Sequence, residues 1–238
     1  MYRVTIGIQA RTNNQRLPGK CLMDINGRVM LDRVIDAASG AARHITKNRY
    51  GMHVTVCLLV PTNDPLKSRY EDYSNLKVVE GPEEDVLTRY MIGLEETKAD
   101  FMCRITSDCP LIPSPLISKH IICATRFEMD YISNVNEKVR VAPDGYDCEV
   151  ISADLLKWAD KTAVSKEDRE HVTTIIRRAT PQWAKDGNVI SPLNLSHLKL
   201  SVDTEEDLFF VREYDKLLKE KIDLAKNKNF ADAYFFYG

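Results

Sequence analysis

Short apolar runs rich in β-forming residues alternate with longer stretches of helical spacing through the first half of the chain, and no other feature narrows the fold as much. The runs are Val4 to Ala10, Val54 to Pro61, Leu76 to Val79 and Phe101 to Thr106, each too short for a stable helix and dominated by strand formers. Between them, Val29 to Ile45, Asp64 to Tyr73 and Glu84 to Lys98 repeat apolar residues as one face of a helix does. Strand-helix-strand repetition predicts an α/β fold with a doubly wound, mostly parallel sheet covered on both faces. Ligands bind such sheets beyond the carboxyl ends of the strands, so candidate functional residues belong there.

The pattern continues less regularly. Ser114 to Phe127, preceded by Pro113, reads as a helix, and Asn26-Gly27 is a strong signal for a tight turn. The stretch DYISNVNEKVRVAPDGYDCEVIS suggests short strands separated by Pro143 and Gly145. Ile151 to Lys161 and Lys166 to Arg178 have helical spacing, and His197 to Val202 reads as a last strand. Thr204 to Lys226 is the longest helical segment, with Leu208, Val211, Tyr214, Leu217 and Leu218 on one face. With no repeat and no low-complexity linker, the 238 residues read as one domain. Residues from about 130 to 190 are expected to form a small inserted β/α lobe, and about 204 to 238 a C-terminal helical region.

Composition limits the partners. Apolar residues at 44% and charged residues at 29% fit a folded chain rather than a disordered one. A formal net charge of −2 offers no global attraction to nucleic acid or to a membrane, so neither is expected, and any anion must be held by a local cluster. Six cysteines without a CxxC pair, and no signal peptide or transmembrane stretch, lead to the expectation of a reducing, cytoplasmic setting with the thiols acting as small core residues. His44, His53, His120 and His197 lack metal-ligand spacing, so no zinc site is expected.

A local cationic cluster does exist. The stretch IQARTNNQRLPGKCL leaves the first strand and places Arg11, Arg16 and Lys20 within ten residues. Arginine offers planar paired donors and lysine a mobile point charge, so the loop can hold a polyphosphate; a merely solvated loop is the plainer alternative. It is not a Walker loop, because GxxxxGK[ST] is absent. Two carboxylates stand at later strand ends. Asp108 in RITSDCPLI is placed either to bind a divalent cation or to make an ordinary turn before Cys109-Pro110, and Asp203 in LKLSVDTEEDL either joins it or caps a helix with Glu206.

These segments together resemble the CMP-sugar synthetases, cytidylyltransferases that activate acidic sugars, and most closely their spore-coat-polysaccharide-type branch. The opening loop is similar to the signature A-R-x-G-S-x-R-L-P-G-K, RITSDCPLI to R-I-T-G-D-C-P-L-I, and VDTEEDL to V-D-T-P-E-D-L. EEDVLTRY, DYISN, PDGYDCEV and DREHVT match further segments in family order, from residue 4 to about 210. The resemblance implies a Rossmann-like, GT-A-like nucleotidyltransferase that uses CTP and Mg²⁺. Arg16, Lys20, Asp108 and Asp203 would then be catalytic, with Mg²⁺ on the two aspartates. The nucleotide would lie over Gln9, Ala10, Arg11, Asn13, Asn14, Asp85, Arg104 and Ser107.

The middle segment is expected to receive a small acidic acceptor. Asn134, Asp144, Asp147 and Glu149 are candidates for its hydroxyls, and Glu170, His171 and Arg178, with Arg177, for its acid group. A polar turn, a structural histidine and a solvated helix face are the plainer readings of the same residues. Relatives of this kind are often homodimers, and a homodimer is expected here. A glycosyltransferase of the same fold is the nearest rival, although its usual D-x-D pair is absent. A binding-only protein is the other, because Asn13-Asn14 and Ser107 stand where the signature has Gly-Ser and glycine.

Overall fold

The computed structural model describes residues 1–48, 50–136 and 138–227. Four parallel strands, β1 (Tyr2–Gln9), β2 (Met52–Pro61), β3 (Leu76–Gly81) and β4 (Phe101–Thr106), form one side of a seven-stranded sheet. Three short strands complete it: β5 (Tyr131–Ser133), β6 (Glu149–Ser152) and β7 (Asp186–Asn188). The order is β3-β2-β1-β4-β6-β5-β7, with β6 antiparallel to both its neighbours and every other pair parallel. The expected α/β, doubly wound, mostly parallel sheet is therefore what forms. Strand order turns at β1 and β4, which opens a crevice at their carboxyl ends.

Both faces are covered, which is why the strands read as continuous apolar runs. Ile6, Ile8, Leu58, Val60, Cys103 and Ile105 pack against α1 (Met30–Lys47), α2 (Leu66–Tyr70) and α4 (Ser114–Arg126). Leu59, Met102 and Ile151 pack with α3 (Val86–Thr97), α5 (Ala153–Thr162) and α7 (Thr174–Ala179). Between α5 and α7 lies α6 (Lys166–His171), and α8 (Glu205–Asn227) closes the described chain. The remainder of the expected C-terminal region, 228–238, lies outside the described residues. All six cysteines are free thiols, five of them buried, and among the described residues no helix is long and apolar enough to cross a membrane.

Four sequence expectations need correction. The helix expected over Asp64 to Tyr73 is only Leu66–Tyr70. Asp64 instead accepts from the Leu66 amide and from the Thr12 amide and hydroxyl, tying the opening loop to α2. Ile151 and Ser152 belong to β6, and the Ser152 hydroxyl caps α5 by accepting from the Leu155 amide at 3.2 Å. The helix over Lys166 to Arg178 breaks at Val172, whose φ of 59° and ψ of −57°, with the Thr173 amide donating to the His171 carbonyl, describe a strained γ-turn. His197 to Val202 is no strand: its one ladder contact is an isolated parallel bridge between Asp144 and Lys199, and the Val202 amide bonds instead to the Asp108 carbonyl. Gly145 permits that approach, because a Cβ there would lie 2.4 Å from the Leu200 carbonyl carbon and its φ is +106°.

The turn at Asn26-Gly27 forms as expected, with both residues at positive φ and Asp24 bridged to Val29. Leu17, Ile25 and Met30 there pack on Val202, Leu208 and Val211, seating α8 beneath the opening loop. Asp215 of α8, 4% exposed, accepts from Arg33, from Asn26 at 3.0 Å and from Lys219 at 2.9 Å. Burial opposes its charge, yet the hydrogen bonds from Arg33, Asn26 and Lys219 outweigh it and lower its pKa to about 2. A carboxylate depressed in the folded state stabilises above its unfolded pKa, about 3.9, and loses that contribution as pH falls through the folded value. Asp215→Ala is expected to remove about 3–5 kcal/mol at neutral pH by stranding Arg33. In urea melts the gap from wild type should narrow as pH falls from about 4 to about 2; a pH-independent gap would contradict this.

Candidate active site

A cleft of about 930 Å³ opens at the carboxyl ends of β1 and β4. Its floor is the chain leaving those strands, Gln9 to Arg11 and Thr106 to Cys109, and α6 forms one wall. The opening loop turns back because the Gly19 amide donates to the Thr12 carbonyl and Gly19 takes a φ of 69°, which delivers Lys20 into a 3-10 turn, Lys20–Leu22. The ammonium of Lys20 donates to Asp108 at 2.9 Å, to Asp203 at 3.0 Å and to the Val202 carbonyl at 2.7 Å. Three segments distant in the sequence therefore meet at one point.

The crossing segment explains how Asp203 gets there. The Val202 amide donates to the Asp108 carbonyl at 2.9 Å, holding the two stretches side by side. Asp203 does not cap α8. Thr204 does so: its hydroxyl accepts from the Asp207 amide, while the Asp207 carboxylate accepts from the Asp203 and Thr204 amides, a capping box shifted by one residue. The Asp203 carboxylate is left to Lys20, to Arg16 at 3.1 Å and, on its other oxygen, to Lys199 at 3.5 Å. Burial works against the charge on Lys20, but Asp108 and then Asp203 prevail and raise its pKa; burial likewise opposes ionisation of Asp108, and Lys20 with the Thr106 hydroxyl keeps its pKa lowered.

Gln9, Ala10, Arg11, Asn14, Asp85, Arg104 and Ser107 also line the cleft, as do Asp144, Asp147, Glu170 and His171. Arg11 reaches across to Glu170 at 3.6 Å, and Asp147 pairs with Arg140 at 2.5 Å. Burial, with neighbouring Asp144 and Glu149, raises the Asp147 pKa against the pull of Arg140. The departures from the signature are tolerated locally, because Asn13, Asn14 and Ser107 all keep negative φ. The Asn14 side-chain oxygen is buried without a partner, whereas Asn13 points away and donates to Glu83 at 3.1 Å.

Four expected site residues lie elsewhere. Glu149 is 1% exposed and accepts from Arg104 at 2.6 Å, from Thr173 at 3.1 Å and from the Tyr131 hydroxyl, so it is a buried anchor and not a cleft wall. Asn134 is buried and brackets the turn before β6, donating to the Tyr146 carbonyl and accepting from the Cys148 amide. Arg178 pairs with Asp168 at 2.8 Å on the outer face of α7, and Arg177 is exposed beside it. Sequence reasoning also passed over two arginines. Arg169 ties α6 to Asp85, Thr88 and Asp160, and the N-cap Asp85 thereby has both oxygens engaged. Arg89, 2% exposed, donates to the Leu59 and Glu83 carbonyls beneath the cleft. A cation on the apolar face of α3, among Val86, Tyr90 and Leu94, is the signal that marks it.

The sequence matches the family model described as cytidylyltransferase over residues 5–237. The chain belongs to the cytidylyltransferase family. It is 26% identical over 224 residues to the spore coat polysaccharide biosynthesis protein SpsF of Bacillus subtilis, covering 93% of this chain and 90% of that one. Among solved structures it is similar to a cytidylyltransferase from Leptospira borgpetersenii, with a TM-score of 0.73, 22% identity and coverage of 96% and 95%. CMP:2-keto-3-deoxy-manno-octonic acid synthetase, solved with CTP, shares the fold at a TM-score of 0.63 and 15% identity, with coverage of 90% and 99%. This cytidylyltransferase is thus a CTP-dependent nucleotidyltransferase.

Proposed function

We propose that the enzyme transfers CMP from CTP to a hydroxyl of a small acidic sugar or related acidic acceptor, releasing pyrophosphate, with Mg²⁺ held by Asp108 and Asp203. The convergence of Lys20, Asp108 and Asp203 from three strand ends carries this reading. Two carboxylates that share one ammonium, at 2.9 and 3.0 Å, fit Mg²⁺, which takes one or two protein carboxylates and completes its shell with phosphate oxygens and water. Among the described residues no group of three or more His, Cys, Asp or Glu side chains could hold an ion unaided. Bound there, Mg²⁺ supplies a Lewis acid for the α-phosphate and the attacking oxygen.

The protein's own part is positioning and charge neutralisation. Arg11, Arg16 and Lys20 supply the cations that receive the triphosphate and steady the departing pyrophosphate. Asp144 and Asp147 accept from acceptor hydroxyls, and Arg104 and His171 are the cleft groups that match an acid. The lobe's edge strand β7, with Trp183 and Ile190 exposed beside it, supports pairing of two copies.

The test is product analysis with CTP, Mg²⁺ and a panel of sugar acids and phosphonates, using the other nucleoside triphosphates as controls. The expected result is pyrophosphate and a CMP-linked product with CTP alone. Release of a nucleoside diphosphate from a nucleotide sugar would establish the glycosyltransferase reading, and CTP binding without turnover would establish the binding-only one.

A further inference from the structure

Lys20 has no donor to spare. A lysine ammonium carries three N–H groups, and here they go to Asp108, Asp203 and the Val202 carbonyl. The residue is 7% exposed, so water replaces a bond that is given up less well than it would at the surface. Lys20 can therefore reach a phosphate only by releasing at least one of these partners. The converse also holds: a divalent cation bound to the same two oxygens at about 2.1 Å lies within about 5 Å of the ammonium as placed. Three positive charges on two carboxylates in a partly buried corner of the cleft repel.

We infer that Lys20 makes metal binding conditional on the nucleotide. Its ammonium and the divalent cation compete for Asp108 and Asp203, and the triphosphate resolves the competition by drawing Lys20 onto its own oxygens. The inference rests on the reading of Asp108 and Asp203 as the metal pair and adds a binding order to it. Only the four-carbon stem has to move, because the backbone of the turn is held by bonds from the Gly19 amide to Thr12 and from the Leu22 amide to Gly19. Arg16, at 69% side-chain exposure, also touches Asp203, but it can leave into solvent and does not fill the space between the carboxylates. Because linkage is reciprocal, metal and nucleotide each raise the other's affinity by the same factor.

The test measures Mn²⁺ binding to the full-length protein by electron paramagnetic resonance, with no nucleotide present and then with a non-hydrolysable CTP analogue. Lys20→Met is expected to bind Mn²⁺ alone about tenfold more tightly than wild type and to show correspondingly weaker coupling to the analogue. Lys20→Gln, which keeps donors but no charge, should shift the same way and serves where the methionine variant fails to fold. Arg16→Gln removes an equally close cation and should gain no more than about threefold, given its exposure. No gain in either Lys20 variant, or an equal gain in Arg16→Gln, overturns the interlock. The Asp108→Asn, Asp203→Asn double variant isolates the premise: if it still binds Mn²⁺ with the analogue as wild type does, the metal pair itself is misassigned.

Discussion

Asp108→Ala is expected to lower the rate of pyrophosphate release from CTP by about 10³-fold or more, with the CTP KM changing far less than kcat. The carboxylate lies on the cleft floor between Lys20 and the Thr106 hydroxyl, which under the proposed function is where charge builds as pyrophosphate leaves. Its removal takes away one of the two carboxylates that meet at Lys20 and to which the proposed function assigns the metal. The fold should survive, because Lys20 keeps Asp203 and the Val202 carbonyl, and the Val202 amide bonds the Asp108 carbonyl rather than its side chain. Circular dichroism and melting near wild type therefore form part of the expected result. Near-wild-type turnover in a folded variant would remove Asp108 from the chemistry and, with it, the proposed function's central group.

The same site shows how far a sequence can carry such a reading. Phe101 to Thr106 shows its strand with the observed bounds, because a run buried on both faces needs apolar residues at nearly every position and stops where the chain enters the cleft. The cations of the opening loop and the two aspartates are likewise visible as residue types at strand ends. Their meeting is not, since it depends on the crossing segment His197 to Val202, which resembles a strand but spends its backbone groups on Asp108 and Asp144. The cap of α8 carried the same ambiguity: Asp203 and Thr204 are adjacent and both can cap, and only the geometry shows Thr204 doing so. Polar partners far apart in sequence decide the rest. Arg178 was a fair match for an acid group until Asp168 proved to hold it outside the cleft, and β7, DGN, carries no strand signal at all because its neighbour β5 supplies the order.

Glu149 tests that lesson in energy. In the motif PDGYDCEV it reads as a third acceptor-binding carboxylate, yet its oxygens are consumed by Arg104, Tyr131 and Thr173. Glu149→Ala is expected to destabilise the fold by about 3–5 kcal/mol, because it strands a largely buried guanidinium, removes the acceptor of the Tyr131 hydroxyl and leaves Thr173 only its long bond to the His171 carbonyl. For a chain of this length the melting temperature should fall by on the order of 10 °C. A loss confined to acceptor KM, with melting unchanged, would instead return Glu149 to the substrate. The two roles separate further in the Arg104→Met, Glu149→Leu double variant. Replacing a buried ion pair with apolar groups of similar volume is often close to neutral for stability, so melting should largely recover. Arg104, however, also lines the cleft, and acceptor or nucleotide affinity should not recover with it. Stability restored while binding stays impaired would mean that Glu149 serves the site by holding Arg104 in place, and that the arginine, not the carboxylate, is what the substrates meet.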